Sequence, residues 1–368
     1  MNSSPGYVDV LEKFELLKKI PLYKLYRTLG LPRMLPINLT VSLTYRCNSR
    51  CKTCNIYDRK SDELSLEEYG KIFRSLSRSP YWITFSGGEP FLRRDIEDIC
   101  IEAYETCRPK FINIPTNGIL SERIEEGVRR IVSACSDASV IINLSVDALG
   151  DRNSEIRGVP NAFEKAMETY KRLRTIDSRN LTLGIHTVIS KYNVSNMPNI
   201  FLKLKELGPD SYITEIAENR VELMNQSFDI QPSLPEYSAA VDFIAKDMER
   251  WNLKGASKIV RTFRKRYYSL VKGILREGRM FIPCYAGYAS CQISPEGDLW
   301  ACCMRGEVMG NLRETGYDFS KAWFSENAHQ VRKAIKDRSC FCPLANASYT
   351  NMLFSFKTLF RVIGEAIT

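Results

Sequence analysis

The stretch Cys47-Asn48-Ser49-Arg50-Cys51-Lys52-Thr53-Cys54 decides how this chain is read. Three cysteines stand in the spacing C-x3-C-x2-C, just after an apolar alternating run from Ile37 to Leu43. Alternation predicts a strand, so the cysteines fall on the loop at its end. Thiolate sulfur is a soft ligand and suits iron–sulfur clusters or zinc. A structural zinc ion takes four protein ligands, and neither Cys nor His follows Cys54 until Cys100. Three ligands with one open position serve chemistry better than the stapling of a fold. The reading for Cys47, Cys51 and Cys54 is therefore an iron–sulfur cluster with one open iron.

Outward from this loop the pattern alternates strand and helix. Strands are expected near 37–44, 82–85, 110–115, 140–146, 181–189 and 211–216. Helices are expected from Ser65, where Ser65 and Glu68 form a capping box, and over 94–107, 120–134, 161–174 and 196–207. Six such units imply a parallel sheet with right-handed crossovers. The fold class is α/β, a partial (β/α)6 TIM-like barrel open on one side. Polar and glycine motifs sit just beyond the strand ends, on the rim that builds active sites in such barrels. Ser86-Gly87-Gly88-Glu89-Pro90 follows strand two, where glycine lets backbone approach a ligand and Glu89 suits an amino group. Asn117 lies in the turn after strand three. Ser145 and Asp147 are two apart at the end of strand four and share a face, fit for ribose hydroxyls. Arg157 follows as a fork for a carboxylate. His186 lies in strand five and is read as a core residue.

The cysteine triplet resembles the cluster motif of the radical S-adenosylmethionine (SAM) enzymes. Thr53 departs from the aromatic residue common before the third cysteine. The resemblance implies that Cys47, Cys51 and Cys54 hold a [4Fe–4S] cluster whose fourth iron is chelated by SAM. Reductive cleavage of SAM then yields a 5′-deoxyadenosyl radical that takes hydrogen from a substrate. It assigns Gly87, Gly88 and Glu89 to the SAM amino group, Ser145 and Arg157 to other parts of SAM, and Asn117 to the same pocket. It also implies a reductant such as ferredoxin or flavodoxin. Further on, Cys284, twelve residues, Gly297, four residues and Cys302 resemble the opening of the SPASM and twitch pattern, and Gly310-Asn311-Leu312 resembles its next run. A full SPASM set has more cysteines; here Cys340 and Cys342 follow as C-x-C. The implied extension is a twitch-like β-hairpin plus helix holding one auxiliary [4Fe–4S] cluster on Cys284, Cys302, Cys340 and Cys342. Cys291 and Cys303 stand as alternatives, and zinc is the competing metal. Cys100, Cys107 and Cys135 read as small core residues.

The expected organisation is 1–36 as a basic amphipathic segment, 37–216 as the barrel and 217–283 as a helical connector. Residues 284–342 form the auxiliary domain and 343–368 an amphipathic helix. The connector contains expected helices over 232–251 and 258–277; the latter is rich in Lys and Arg. One helix is expected over 320–336. Residues 7–30 read as a helix with Leu11, Phe14, Leu17, Leu22, Leu25 and Leu29 on one face, Lys13 among its cations, and a possible break at Pro21. The tail 349–367 repeats the theme with Leu353, Phe356, Leu359, Phe360 and Ile363. Neither a signal peptide nor a membrane-crossing run is expected, so the protein is placed in the cytoplasm, with peripheral contact to the membrane's inner face. The net charge of +9 points to an anionic partner. No nucleic-acid or cobalamin module is recognisable. The expected substrate is membrane-associated, a lipid or a lipid-linked glycan. Its alternative is a ribosomal peptide, weakened by the short segment before strand one. A reading of another class is a non-catalytic iron–sulfur or zinc protein.

Overall fold

The computed structural model describes residues 10–251, 256–337 and 340–367. Within them the strands are β1 (Asn38–Thr44), β2 (Trp82–Gly87), β3 (Phe111–Thr116), β4 (Ser139–Ser145), β5 (Leu181–Ile189), β6 (Ser211–Ile216), β7 (Ser290–Ile293), β8 (Asp298–Trp300) and β9 (Val308–Asn311). The helices of the first half are α1 (Val10–Leu29), α2 (Leu66–Leu76), α3 (Ile96–Cys107), α4 (Ser121–Ala134), α5 (Gly150–Arg157), α6 (Ala162–Arg174) and α7 (Met197–Glu206). Those of the second half are α8 (Leu234–Glu249), α9 (Ala256–Glu277), α10 (Phe319–Trp323), α11 (Glu326–Lys336), α12 (Ala345–Leu353) and α13 (Phe356–Ile367).

All the strands belong to one sheet in the order β6-β5-β4-β3-β2-β1-β7-β8-β9. The first six run parallel, as the strand–helix alternation requires. The C-terminal hairpin is not a separate body. β7 pairs in parallel with β1, from Asn38↔Ser290 to Val41↔Ile293, and β8 and β9 extend the sheet antiparallel. On β1, Leu39, Val41 and Leu43 join the apolar core with Ile72, Phe73 and Leu76 of α2. The alternate residues face the interior, where Asn38 and Thr40 meet Asn346 of α12, and Ser42 meets Gln292 and Glu222.

The sheet remains open between β6 and β9, and helices cover the gap. Tyr268 of α9 shares a 2.7 Å hydrogen bond with Thr214 of β6. Tyr267 donates to the Pro343 carbonyl at 3.0 Å and stacks on Tyr349 of α12. α9, expected as connector with a solvated basic face, thus packs its tyrosines inward, and Arg264 is buried on the Tyr212 carbonyl. At the other edge, Arg313 and Tyr317 reach Glu68 at the start of α2, and the guanidinium pulls that carboxyl down to about 2. The predicted Ser65–Glu68 capping box is present.

Three helix expectations are corrected. The span 320–336 is two helices, because Ser325 caps a new one by accepting from the Ala328 amide at 3.0 Å. The tail is also two helices, parted at Phe354-Ser355. α1 runs unbroken through Pro21, because the residues around it are held by tertiary packing. Its buried face is Ile20, Tyr23 and Tyr26, set against Tyr285, Tyr288 and Phe354. Leu22, Leu25 and Leu29, expected on the packed face, are exposed. Residues 7–9 and the side chains of Leu11, Lys13, Phe14, Leu17 and Ile363 lie outside the described residues.

Candidate active site

Cys47, Cys51 and Cys54 lie on the loop leaving β1, half-buried and free of disulfides. Four other segments brace that loop. The first is the Gly87-Gly88 turn. The Gly88 amide bonds the Thr44 carbonyl at 2.7 Å, and the Glu89 amide bonds the Arg46 carbonyl at 2.9 Å. A Cβ on Gly88 would lie 2.2 Å from the Arg46 oxygen, and Gly87 has φ +125°. The glycines thus serve a backbone-to-backbone approach onto the cysteine loop, a use the sequence reading did not foresee. The second is the turn after β3. Asn117 Nδ2 bonds Asn48 Oδ1 at 2.7 Å and reaches Cys47 Sγ at 4.0 Å. The third is the C-terminus of α5, where the Arg50 and Lys52 amides bond the carbonyls of Arg157 and Ile156. Gly158 (φ +63°) allows this, since a Cβ there would lie 2.3 Å from the Arg50 oxygen.

The fourth segment is the loop after β6, residues 217–225, which the sequence reading took for connector. The Asn55 amide bonds the Leu223 carbonyl at 2.9 Å, and Asn225 Nδ2 bonds the Thr53 carbonyl at 2.7 Å. The same loop touches the C-terminal cysteines: the Val221 and Glu222 amides bond the carbonyls of Met304 and Cys303 at 3.4 and 3.3 Å. One short loop therefore ties both cysteine regions together. Its signal was available, since Glu218, Arg220 and Glu222 lie beyond a strand end like the motifs of strands two to four.

The polar residues form three networks. Glu89 is buried; its carboxylate accepts from Thr116 Oγ1 at 2.8 Å, the Asn117 amide at 2.8 Å and the Phe91 amide at 3.2 Å. Burial pushes its carboxyl up to about 7, against the pull of those donors. Asp147 accepts from the Val188 amide and pairs with Arg157 at 2.8 Å. Arg157 is largely covered, points Nη1 at Cys51 Sγ at 4.0 Å, and keeps a buried Nε without a partner. Asp147, read from sequence as a partner for ribose hydroxyls beside Ser145, pairs with Arg157. Asn153 in turn accepts from the Asp147 and Ala148 amides. Ser145 ends β4 half-buried, opposite His186 of β5. His186 faces Glu215 at 3.5 Å, Glu215 faces Arg220 at 3.6 Å, and Arg220 pairs with Glu218 at 2.7 Å. Glu218 is fully buried with one oxygen unpartnered, and burial pushes its carboxyl up to about 7.

The three sulfurs fit a bound cluster in their chemistry. Burial pushes the Cys47 thiol up to about 11 and Cys54 up to about 12, and raises Cys51 too. The Ser49 and Ile56 amides and the Arg157 guanidinium pull the other way. Such thiols ionise against a strong positive partner, which a metal cluster supplies.

Cys284, Cys302, Cys340 and Cys342 line one cavity of about 190 Å³ with Ala286, Met304 and Ile335. The predicted set thus converges, although its members come from three separate stretches. Neither Cys291 nor Cys303 lines the cavity. Cys291 is buried in β7, and Cys303 is buried beside Leu344 and Ala347. The walls are apolar and Arg305 bonds Cys340, so the space suits a thiolate-bound cluster. Cys100, Cys107 and Cys135 are buried in the core as read.

Residues 41–204 match the radical SAM superfamily model, and residues 284–343 match the SPASM iron–sulfur cluster-binding domain. The chain is 29% identical to the Fe-coproporphyrin III synthase of Methanosarcina barkeri, over 58% of this chain and 52% of that protein. It is 31% identical to the PqqA peptide cyclase of Granulibacter bethesdensis, over 50% and 47%. Identity is 25% with the PqqA peptide cyclase of Bradyrhizobium diazoefficiens, over 81% and 75%. The chain spans about half the length of the first two. Among solved structures, Streptococcus suis SuiB bound to S-adenosylmethionine superposes with a TM-score of 0.63 at 16% identity, covering 89% of this chain and 74% of that one. That likeness concerns the fold.

Proposed function

We propose that this chain, whose residues 41–204 match the radical SAM superfamily model and whose residues 284–343 match the SPASM iron–sulfur domain, is an enzyme modifying a ribosomal peptide. The observation that carries the reading is the joining of two cysteine sites by one loop, in a chain similar along most of its length to a PqqA peptide cyclase. The lipid or glycan substrate expected from sequence has no such support, and the short segment before β1 is not weighed against a peptide.

In this reading Cys47, Cys51 and Cys54 hold a [4Fe–4S] cluster, and Cys284, Cys302, Cys340 and Cys342 an auxiliary one. When bound, the first cluster with SAM supplies a 5′-deoxyadenosyl radical that takes a hydrogen atom from substrate. The chain's own residues do the rest. Gly87 and Gly88 seat the rim turn on the cysteine loop. Glu89 and Asn117 hold the neighbouring turn, and Asp147 aims the Arg157 guanidinium for a carboxylate. Ser145 lies on the same rim for a ribose hydroxyl. Glu218, fully buried with a free oxygen, stands on the loop between the two sites. There it accepts a hydrogen bond or a proton from substrate. A ferredoxin or flavodoxin is the natural reductant class.

The test is hydrogen transfer. Peptides deuterated at their side chains, incubated with reconstituted protein, SAM and dithionite, should pass deuterium into 5′-deoxyadenosine. Deuterium arriving from isoprenoid or glycerol lipids, and not from any peptide, would overturn the peptide reading.

A further inference from the structure

α1 and α13 touch at Lys24 and Phe356, and each leaves apolar side chains facing solvent. Leu22, Leu25 and Leu29 recur at helical spacing on α1, with Leu31 just beyond; Phe356 and Phe360 stand on α13. Leu29 is 73% exposed and Phe360 74%. The two helices meet where Lys24 Nζ lies 3.3 Å over the Phe356 ring, next to the packing of Tyr23 on Phe354, the residue that ends α12, at 5.4 Å between ring centroids. Contiguous exposed apolar side chains are costly in water and mark a surface that something covers.

The sequence stretches that form this ridge are rich in cations. From residue 16 to residue 57 the sequence has no Asp or Glu, and none occurs from 338 to 364. Lys24, Arg33, Lys357 and Arg361 flank the ridge. A second copy presenting the same face would set cations against cations. Leucines at helical spacing offer nothing for nucleic-acid bases to stack on. An apolar ridge flanked by Lys24, Arg33, Lys357 and Arg361 fits a bilayer with anionic headgroups, whose acyl boundary takes the leucines and phenylalanines while Lys and Arg reach the phosphates.

We propose that the α1–α13 face docks this protein peripherally on an anionic membrane. The proposal stands apart from the identity of the substrate. The ridge packs where β1, β2 and β7 begin, through Ile37, Tyr81 and Ala289. The cysteine loop leaves β1 at its other end. Docking by this face therefore tethers the enzyme with its reactive rim turned to the water side. That geometry suits a tether for a water-borne substrate rather than a route for extracting lipid.

The experiment is sedimentation of the full-length protein with vesicles of equimolar phosphatidylcholine and phosphatidylglycerol, against phosphatidylcholine alone. Binding is expected to the anionic vesicles and to weaken as salt is raised. Leu25→Glu combined with Phe360→Glu should lower vesicle affinity about tenfold or more. Lys357→Glu and Arg361→Glu should each lower it about fivefold. Leu202→Glu, at an exposed leucine of α7, should leave it unchanged, and thermal melts should match wild type throughout. Absence of binding at any ionic strength would overturn the proposal. So would a solution dimer that dissociates in the Leu25→Glu, Phe360→Glu variant, since a second copy would then own the face.

Discussion

The two cysteine sites are built in opposite ways. At the first, three sulfurs come from eight consecutive residues, and the fold's work is to clamp that one loop with hydrogen bonds from four directions, three of them through backbone. At the second, Cys284, Cys302 and the Cys340–Cys342 pair come from distant stretches, and the fold's work is to gather them. A local site depends on close backbone approach; a gathered site depends on the packing of whole elements. The loop 217–225 is where the two strategies touch.

Variants should separate the sites accordingly. The largest effect is expected for Cys51→Ala, which should abolish 5′-deoxyadenosine formation and remove about four irons. Cys340→Ala should remove a similar amount of iron yet leave SAM cleavage measurable. Equal loss of cleavage in both would break the contrast. Next is Gly88→Ala, whose new Cβ would collide with the Arg46 carbonyl. It should cost about 1–3 kcal/mol and release iron from the first site only, read as iron content against the Cys340→Ala background. Asp147→Asn should follow, at about 1–2 kcal/mol, because the amide oxygen can still accept from Arg157 while the charge of the pair is lost. Part of that cost should surface as weaker SAM binding by calorimetry, through a misaimed Arg157. A fall in stability without any change in SAM affinity would make Asp147 merely structural.

The last effect concerns pH. The folded Glu218 carboxyl sits at about 7, above its ordinary value of 4.5. The folded chain therefore holds a proton between those values that the unfolded chain has lost, so this group's contribution to stability falls as pH rises from about 4.5 to about 7. Glu218→Gln should flatten that slope, on the order of 1–3 kcal/mol between pH 5 and pH 8, read from urea midpoints of the metal-free chain. An unchanged slope would remove the buried carboxyl from the loop's account.

The first site was legible because everything it needs is local: a strand, a cysteine spacing, and rim motifs at the next strand ends. Even there the sequence left out part of what the residues do. Gly87 and Gly88 were read as ligand-facing, but the contact that demands glycine is with Thr44 and Arg46. Asp147 and Arg157 were both named but not as a pair, because an ion pair between a strand end and a helix end has no sequence spacing to announce it. The second site was legible only as a set of cysteines; that Cys303 turns away from Cys302's cavity depends on how the loop after β8 is folded. The 217–225 loop was missed because its polar residues lack a motif, although they lie beyond a strand end. On α1 the apolar arc is broad enough for two choices of buried face. Tertiary packing chose the one with Tyr23 and Tyr26, whose rings fill the space beside Tyr285, Tyr288 and Phe354. The hydroxyl of Tyr23 finds the Leu35 carbonyl.

The measurement that tests the two-site account most directly is iron content after anaerobic reconstitution, on wild type, Cys51→Ala and Cys340→Ala, with 5′-deoxyadenosine counted under dithionite. The account predicts about eight irons in wild type and about four in each variant, with 5′-deoxyadenosine lost only in Cys51→Ala. About four irons in both wild type and Cys340→Ala, with equal SAM cleavage, would mean that the gathered cysteines hold no cluster, and would contradict it.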